Sequence, residues 1–188
     1  MSETATRRTS FTRMDESTAE HWQAIMVETL ENQPRVADRV LDLLRSLADI
    51  TDGFAVDQLT HSLQTAARAE AAGADEELVV ASLCHDIGKA VSVMNHPRIA
   101  AEILRPYVRP EVHDVIEAHQ DFQGRHYYEH LHQDPNARER YVDQPWFDLA
   151  ATFADDWDQT SFDPDFPTPA LEHYEPMVRR VFGQPRSF

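Results

Sequence analysis

The chain has 188 residues, 41% of them hydrophobic and 27% charged, with a formal net charge of −16. That length supports one domain with a real core rather than two. The acidity argues against a nucleic-acid partner, which needs a basic footprint, and against an anionic membrane surface, so neither nucleic acid nor membrane is expected. One cysteine, Cys84, excludes an intramolecular disulfide.

Residues 1–17 are polar, rich in Ser, Thr and Arg, and read as a disordered tail. They lack the apolar core of a secretory signal, which makes a cytoplasmic protein the expectation. Residues 18–188 read as a single helical domain. "STAEHWQAIMVETLENQ" places Trp22, Ile25, Met26 and Leu30 at helical spacing behind a Ser17 or Thr18 cap. "PRVADRVLDLLRSLADI" opens on Pro34 and puts Val36, Val40, Leu43, Leu44 and Leu47 on one side, and "TDGF" breaks it. A third helix covers about 55–72 and stops at Gly73. Asp75 caps a fourth, "EELVVASLCHD", in which Cys84 reads as a buried structural thiol.

"HPRIAAEILRPYV" and "RPEVHDVIEAHQ" supply the fifth and sixth helices. "HQDFQGRHYYEHLH" then reads as a polar helix face, with Gln123 and Arg125 close enough to His119 to line a pocket. "WFDLAATFADDWDQ" is a helix beginning after Pro145, "TSFDPDFPTP" a proline-stiffened connector, and "ALEHYEPMVRRVF" the last helix. No alternating strand pattern stands out, so the fold class is all-α, a compact helical bundle.

His61, the doublet His85-Asp86, His96, His119 and Asp158 lie on different predicted helices or at helix ends. A bundle can turn all of them inward, as metal–carboxylate bundles do. Adjacent residues of an ideal helix point about 100° apart, so His85 and Asp86 share one centre only where the helix ends or distorts. Gly88 directly afterwards permits that. Imidazole with carboxylate suits iron, manganese, cobalt, nickel or zinc. His21, His113 and His173 read as structural or exposed.

"HDIGK" after an apolar helix, with His61 upstream and Asp158 downstream, resembles the H…HD…D signature of the HD-domain superfamily over about residues 50–182. Most members of that all-helical superfamily are metal-dependent phosphohydrolases. His96 and His119 fall where dinuclear members carry two further ligands. The resemblance thus implies two metal ions with Asp86 bridging, as in some phosphodiesterases and in the mixed-valent diiron oxygenases. Among those, "DQLTHSLQTAARAEAAGADEELVVASLCHDIG" is similar to the 2-amino-1-hydroxyethylphosphonate dioxygenases. "WDQTSFDP" is similar to the segment with the final ligand, favouring Asp158 over Asp155 and Asp156.

Two departures stand out. The phosphonate-cleaving enzymes carry a Tyr and a Glu in a lid where this chain has Thr51 and Phe54. They also carry a His just after the doublet, where this chain has Lys89. A lysine there resembles myo-inositol oxygenase and implies a residue that holds substrate oxygens and assists catalysis. The expectation is a diiron oxygenase that uses O₂ and two iron ions, Fe(II)/Fe(III), to cleave a C–C or C–P bond of a small hydroxylated substrate. Its metal ligands would be His61, His85, Asp86, His96, His119 and Asp158, its substrate-binding residues Lys89, Gln123 and Arg125. An upstream hydroxylase is a plausible partner by family analogy. The alternative is a phosphohydrolase acting on a phosphate ester or nucleotide with Mn, Ni, Co or Mg.

Overall fold

A computed structural model describes residues 8–186, and among these there are α-helices and shorter helical turns but no strand. The helices are α1 (Ala19–Asn32), α2 (Arg35–Ser46), α3 (Gln58–Ala71), α4 (Glu76–Cys84), α5 (His96–Leu104), α6 (Pro110–Gln123), α7 (Phe147–Thr152) and α8 (Leu171–Phe182). The tail expected over 1–17 lies, for residues 1–7, outside the described residues. Met14–Glu16 form a 3₁₀ turn. No described helix is long and apolar enough to cross a membrane.

The centre of the bundle is the α3–α4 pair. Asp57 and Asp75 cap these helices, their carboxylates accepting from the N–H groups of Thr60 and Leu78 at 2.9 and 3.0 Å. The turn between them needs a left-handed residue, which Gly73 supplies at φ 79°. Ala74 N–H then closes onto the Ala69 carbonyl at 3.1 Å. Every residue of α4 from Leu78 to Cys84 is buried, so this helix is apolar on all sides and enclosed by its neighbours. Leu41, Leu44 and Leu47 from the second helical segment, with Ile116, Phe122, Phe153, Tyr174 and Phe182, complete the core around it.

The structure adds to one expectation from the pattern and revises two. The apolar stripe of α1 forms, with a Thr18 cap and a reciprocal bond from His21, yet no residue of α1 is buried. Periodicity specifies the helix and its stripe; burial requires a partner surface that periodicity does not contain. The helix predicted over "HQDFQGRHYYEHLH" stops at Gln123. Two 3₁₀ turns follow, Gly124–His126 and Tyr128–Leu131, closed by His132 at φ 57°. The helix after Pro145 is α7 followed by a π-helical segment, Phe153–Asp158.

Candidate metal centre

Six side chains from five parts of the chain converge. α3 carries His61 and α4 ends in His85. Asp86 follows at φ −101°, ψ 5°, outside helical geometry. That break is how two adjacent residues reach one centre. His96 opens α5, His119 lies in α6, and Asp158 ends the π-helical segment. All six are buried. The π turn selects Asp158 among three nearby aspartates: Asp156 is exposed, and Asp155 pairs with Arg138 at 2.9 Å and His126 at 2.9 Å.

Gly88 has a different role from the one its sequence position suggests. It supplies close approach, since a Cβ there would lie 2.3 Å from the His96 carbonyl oxygen. The turn away from the cluster is made by Asp86.

The four imidazoles share one arrangement. Each Nδ1 faces a backbone carbonyl: His61 that of Ser161 at 2.9 Å, His85 that of Ser82 at 2.8 Å, His96 that of Val93 at 2.8 Å, and His119 that of Ile116 at 2.7 Å. A carbonyl only accepts, so each Nδ1 carries a proton and each Nε2 is the nitrogen turned toward the centre. The Nε2 atoms meet in twos, His61 with His85 at 3.1 Å and His96 with His119 at 3.3 Å. Two such nitrogens lie this close only with a proton or a metal cation between or beside them. Carbonyl-anchored Nδ1–H groups are also how metal-binding histidines are oriented.

The carboxylates complete the two clusters. Asp86 Oδ2 lies 3.4 and 3.5 Å from His61 Nε2 and His85 Nε2, while its Oδ1 lies 3.0 and 3.6 Å from His96 Nε2 and His119 Nε2. Asp158 Oδ1 faces His61 and His85 at 3.2 and 3.5 Å. Asp86 Oδ1 and Asp158 Oδ2 are buried without a hydrogen bond. Orphaned carboxylate oxygens beside bare imidazole nitrogens fit divalent cations chemically, and sets of these donors lie within 4.8 Å of one another.

Protons respond to the same field. Burial would lower His61, but hydrogen bonds to Asp158 and Asp86 lift it to about 9. Burial would raise Asp86, but His85 and Lys89 hold its carboxyl well below the usual range. Burial lowers His119.

Lys89 is the chain's only lysine. Its Nζ forms an ion pair with Asp86 Oδ2 at 2.7 Å and donates to Gln58 Oε1 at 2.9 Å. It lines a cavity of about 550 Å³ together with His96, Gln123, Tyr127, Phe54 and Phe162. A larger cavity of about 640 Å³ lies alongside but touches none of the six donors, so chemistry and not size identifies the site. Gln123 donates to Asp158 Oδ1 at 2.8 Å, which makes it an orienting group for that carboxylate as well as a wall residue. Arg125 is exposed and outside the cavity wall, because the chain leaves α6 at Gly124 just before it.

Residues outside the predicted donor set complete the wall. Phe162 stacks on His61 with ring centroids 4.1 Å apart, and Phe54 stacks on Phe162 at 4.7 Å. Gln58 and Tyr127 also border the site. Their signal in the sequence is only proximity to a ligand, which many residues share. The uniqueness of Lys89 was legible.

A family model described as HD domain matches residues 59–163, a span that contains all six donors and Lys89. No match was found among the curated proteins compared with the chain.

Proposed function

Because the chain belongs to the HD domain family of metal-dependent enzymes, we propose that it is an oxygenase-type member holding two iron ions. It would use O₂ to cleave a C–C or C–P bond of a small hydroxylated substrate. His61, His85 and Asp158 would hold one ion, His96 and His119 the other, and Asp86 both. The observation that carries this reading is the division of Asp86: one carboxylate oxygen faces each histidine pair. Bound iron would supply a Lewis acid for the substrate hydroxyl and an electron donor for O₂.

The protein's own groups do the rest. Lys89 offers its ammonium to an anionic or hydroxyl oxygen beside Asp86. Phe54 and Phe162 cover the His61 side and exclude water. Gln123 keeps Asp158 oriented. An upstream hydroxylase would supply the hydroxyl-bearing substrate.

The same donors suit a phosphohydrolase using Mn, Ni, Co or Mg. The cavity weighs against it, since among the described residues its wall has one lysine and no arginine with which to clamp a phosphate chain. Metal analysis with electron paramagnetic resonance on anaerobically purified protein tests the proposal. Two irons per chain, a mixed-valent signal and substrate-dependent O₂ uptake are expected. A redox-inert metal with nucleotide hydrolysis and no O₂ uptake would sink it.

A further inference from the structure

The cavity wall constrains the substrate more tightly than the donor cluster does. An ammonium has three N–H donors. One of those on Lys89 goes to Gln58, and the ammonium is also paired with Asp86 at 2.7 Å. Only part of its charge remains for a ligand, and among the described residues the wall offers no second free cation: His126 is bonded to Asp155 at 2.9 Å, and His96 belongs to the metal cluster. A single charged N–H suits one carboxylate oxygen. A phosphonate or phosphate dianion, with three oxygens to satisfy, would leave most of its charge unpaired.

Distance sets the second constraint. Lys89 Nζ is 2.7 Å from Asp86, the carboxylate shared by both histidine pairs. An acid group at Lys89 and a hydroxyl at the metal centre are therefore held close together, as they are on neighbouring carbons. The third constraint is the rim. Phe54 and Val93 are each 49% exposed and Met94 is 91% exposed, all three bordering this cavity. Apolar side chains gathered at the mouth of a site favour a ligand with an apolar portion to cover them.

We propose that the substrate is a small 2-hydroxy carboxylate with an apolar substituent. Its carboxylate pairs with Lys89, its hydroxyl faces the metals, and its substituent lies against Phe54, Val93 and Met94. The inference rests on the oxygenase reading for the role of the hydroxyl.

The test is binding without turnover. Iron-loaded protein under argon is titrated calorimetrically with 2-hydroxypropanoate, 2-hydroxy-4-methylpentanoate and 2-hydroxy-3-phenylpropanoate, and with 1-hydroxyalkylphosphonates carrying the same substituents. Affinity should rise about two- to fourfold per added buried methylene, and each carboxylate should bind more tightly than its phosphonate counterpart. Met94→Gln alters a side chain that is 91% exposed, so the fold is not at risk. It should flatten the gradient while leaving 2-hydroxypropanoate within about twofold. A flat series in the unaltered protein, tighter phosphonates, or no binding of any acid would overturn the inference. A graded series followed by no O₂ uptake on admitting air supports this substrate class and removes the oxygenase reading instead.

Discussion

His61 and His85 turn their Nε2 atoms on each other across 3.1 Å, while both Nδ1 atoms are tied to backbone carbonyls. His96 and His119 repeat the arrangement at 3.3 Å. Neither pair can relieve the contact by exchanging tautomers without breaking its carbonyl bond. The bundle thus places positive charge, a proton or a bound cation, at each pair, and a metal bound there would add to its stability.

The two places are not equivalent under mutation. His96→Ala removes a donor from one histidine pair only and is expected to halve the metal content measured by plasma mass spectrometry. Asp86→Ala removes the carboxylate common to both and is expected to abolish binding of both ions. Asp155→Asn serves as the contrast: it removes the negative charge facing Arg138 and His126 and leaves metal content unchanged. Equal losses in the His96 and Asp86 variants would argue for a single shared ion.

Lys89 is expected to act on substrate as well as on folding. Lys89→Met keeps the aliphatic stem and removes the charge. One charge-assisted hydrogen bond is worth about 1.5–3 kcal/mol, so KM for an anionic substrate should rise by about 10- to 100-fold. The pair with Asp86 is nearly buried, its side chains 11% and 3% exposed, so removing one partner should also lower the urea midpoint, by the equivalent of about 3–5 kcal/mol, and KM is read on protein shown to be folded. Since no other lysine exists, reductive methylation with labelled formaldehyde should give one side-chain amine resonance that shifts when substrate binds. A resonance indifferent to every ligand would place Lys89 outside the site.

How far the sequence carried this picture depends on the kind of information needed. The His85-Asp86 doublet at the end of an apolar run, with His61, His96, His119 and Asp158 on other helices, was enough to assemble the cluster on paper. Those side chains are fixed by helical register, which periodicity reports directly. Three things were not legible. The π turn that brings Asp158 inward adds a residue to a helix without altering its composition. The stack of Phe54 on Phe162 on His61 joins segments whose proximity follows from tertiary packing. The exposure of the α1 stripe depends on what lies opposite, which no local pattern encodes.

Cys84 should report on the core through pH. Burial pushes its thiol from 9.0 up to about 12. The folded chain therefore holds this proton where the unfolded chain releases it. The resulting stability is complete below about pH 9 and declines as pH rises from there toward 12. In urea titrations, the wild type should lose stability relative to Cys84→Ala above pH 9, other groups titrating alike in both proteins. Iodoacetamide at pH 8 should label the native thiol only as fast as the chain opens. Rapid native labelling would contradict the burial.

The sharpest structural test is Gly88. A methyl group there would lie 2.3 Å from the His96 carbonyl oxygen and 2.7 Å from its Cα. Both obstacles are backbone, so no side-chain rotation relieves them, and the start of α5 must move. Overpacking of this kind costs about 1–3 kcal/mol, and Gly88→Ala should lower the melting temperature accordingly. The displaced segment carries His96, whereas His61, His85 and Asp158 lie on elements that Gly88 does not touch in this way. The expected signature is selective: one histidine pair keeps its ion and the other loses it, with O₂ uptake lost along with the second ion. Ser in place of Ala should behave the same, since its Cβ meets the same atoms. If Gly88→Ala binds both ions and retains its melting temperature, the close approach of the two backbones is not what requires glycine at this position.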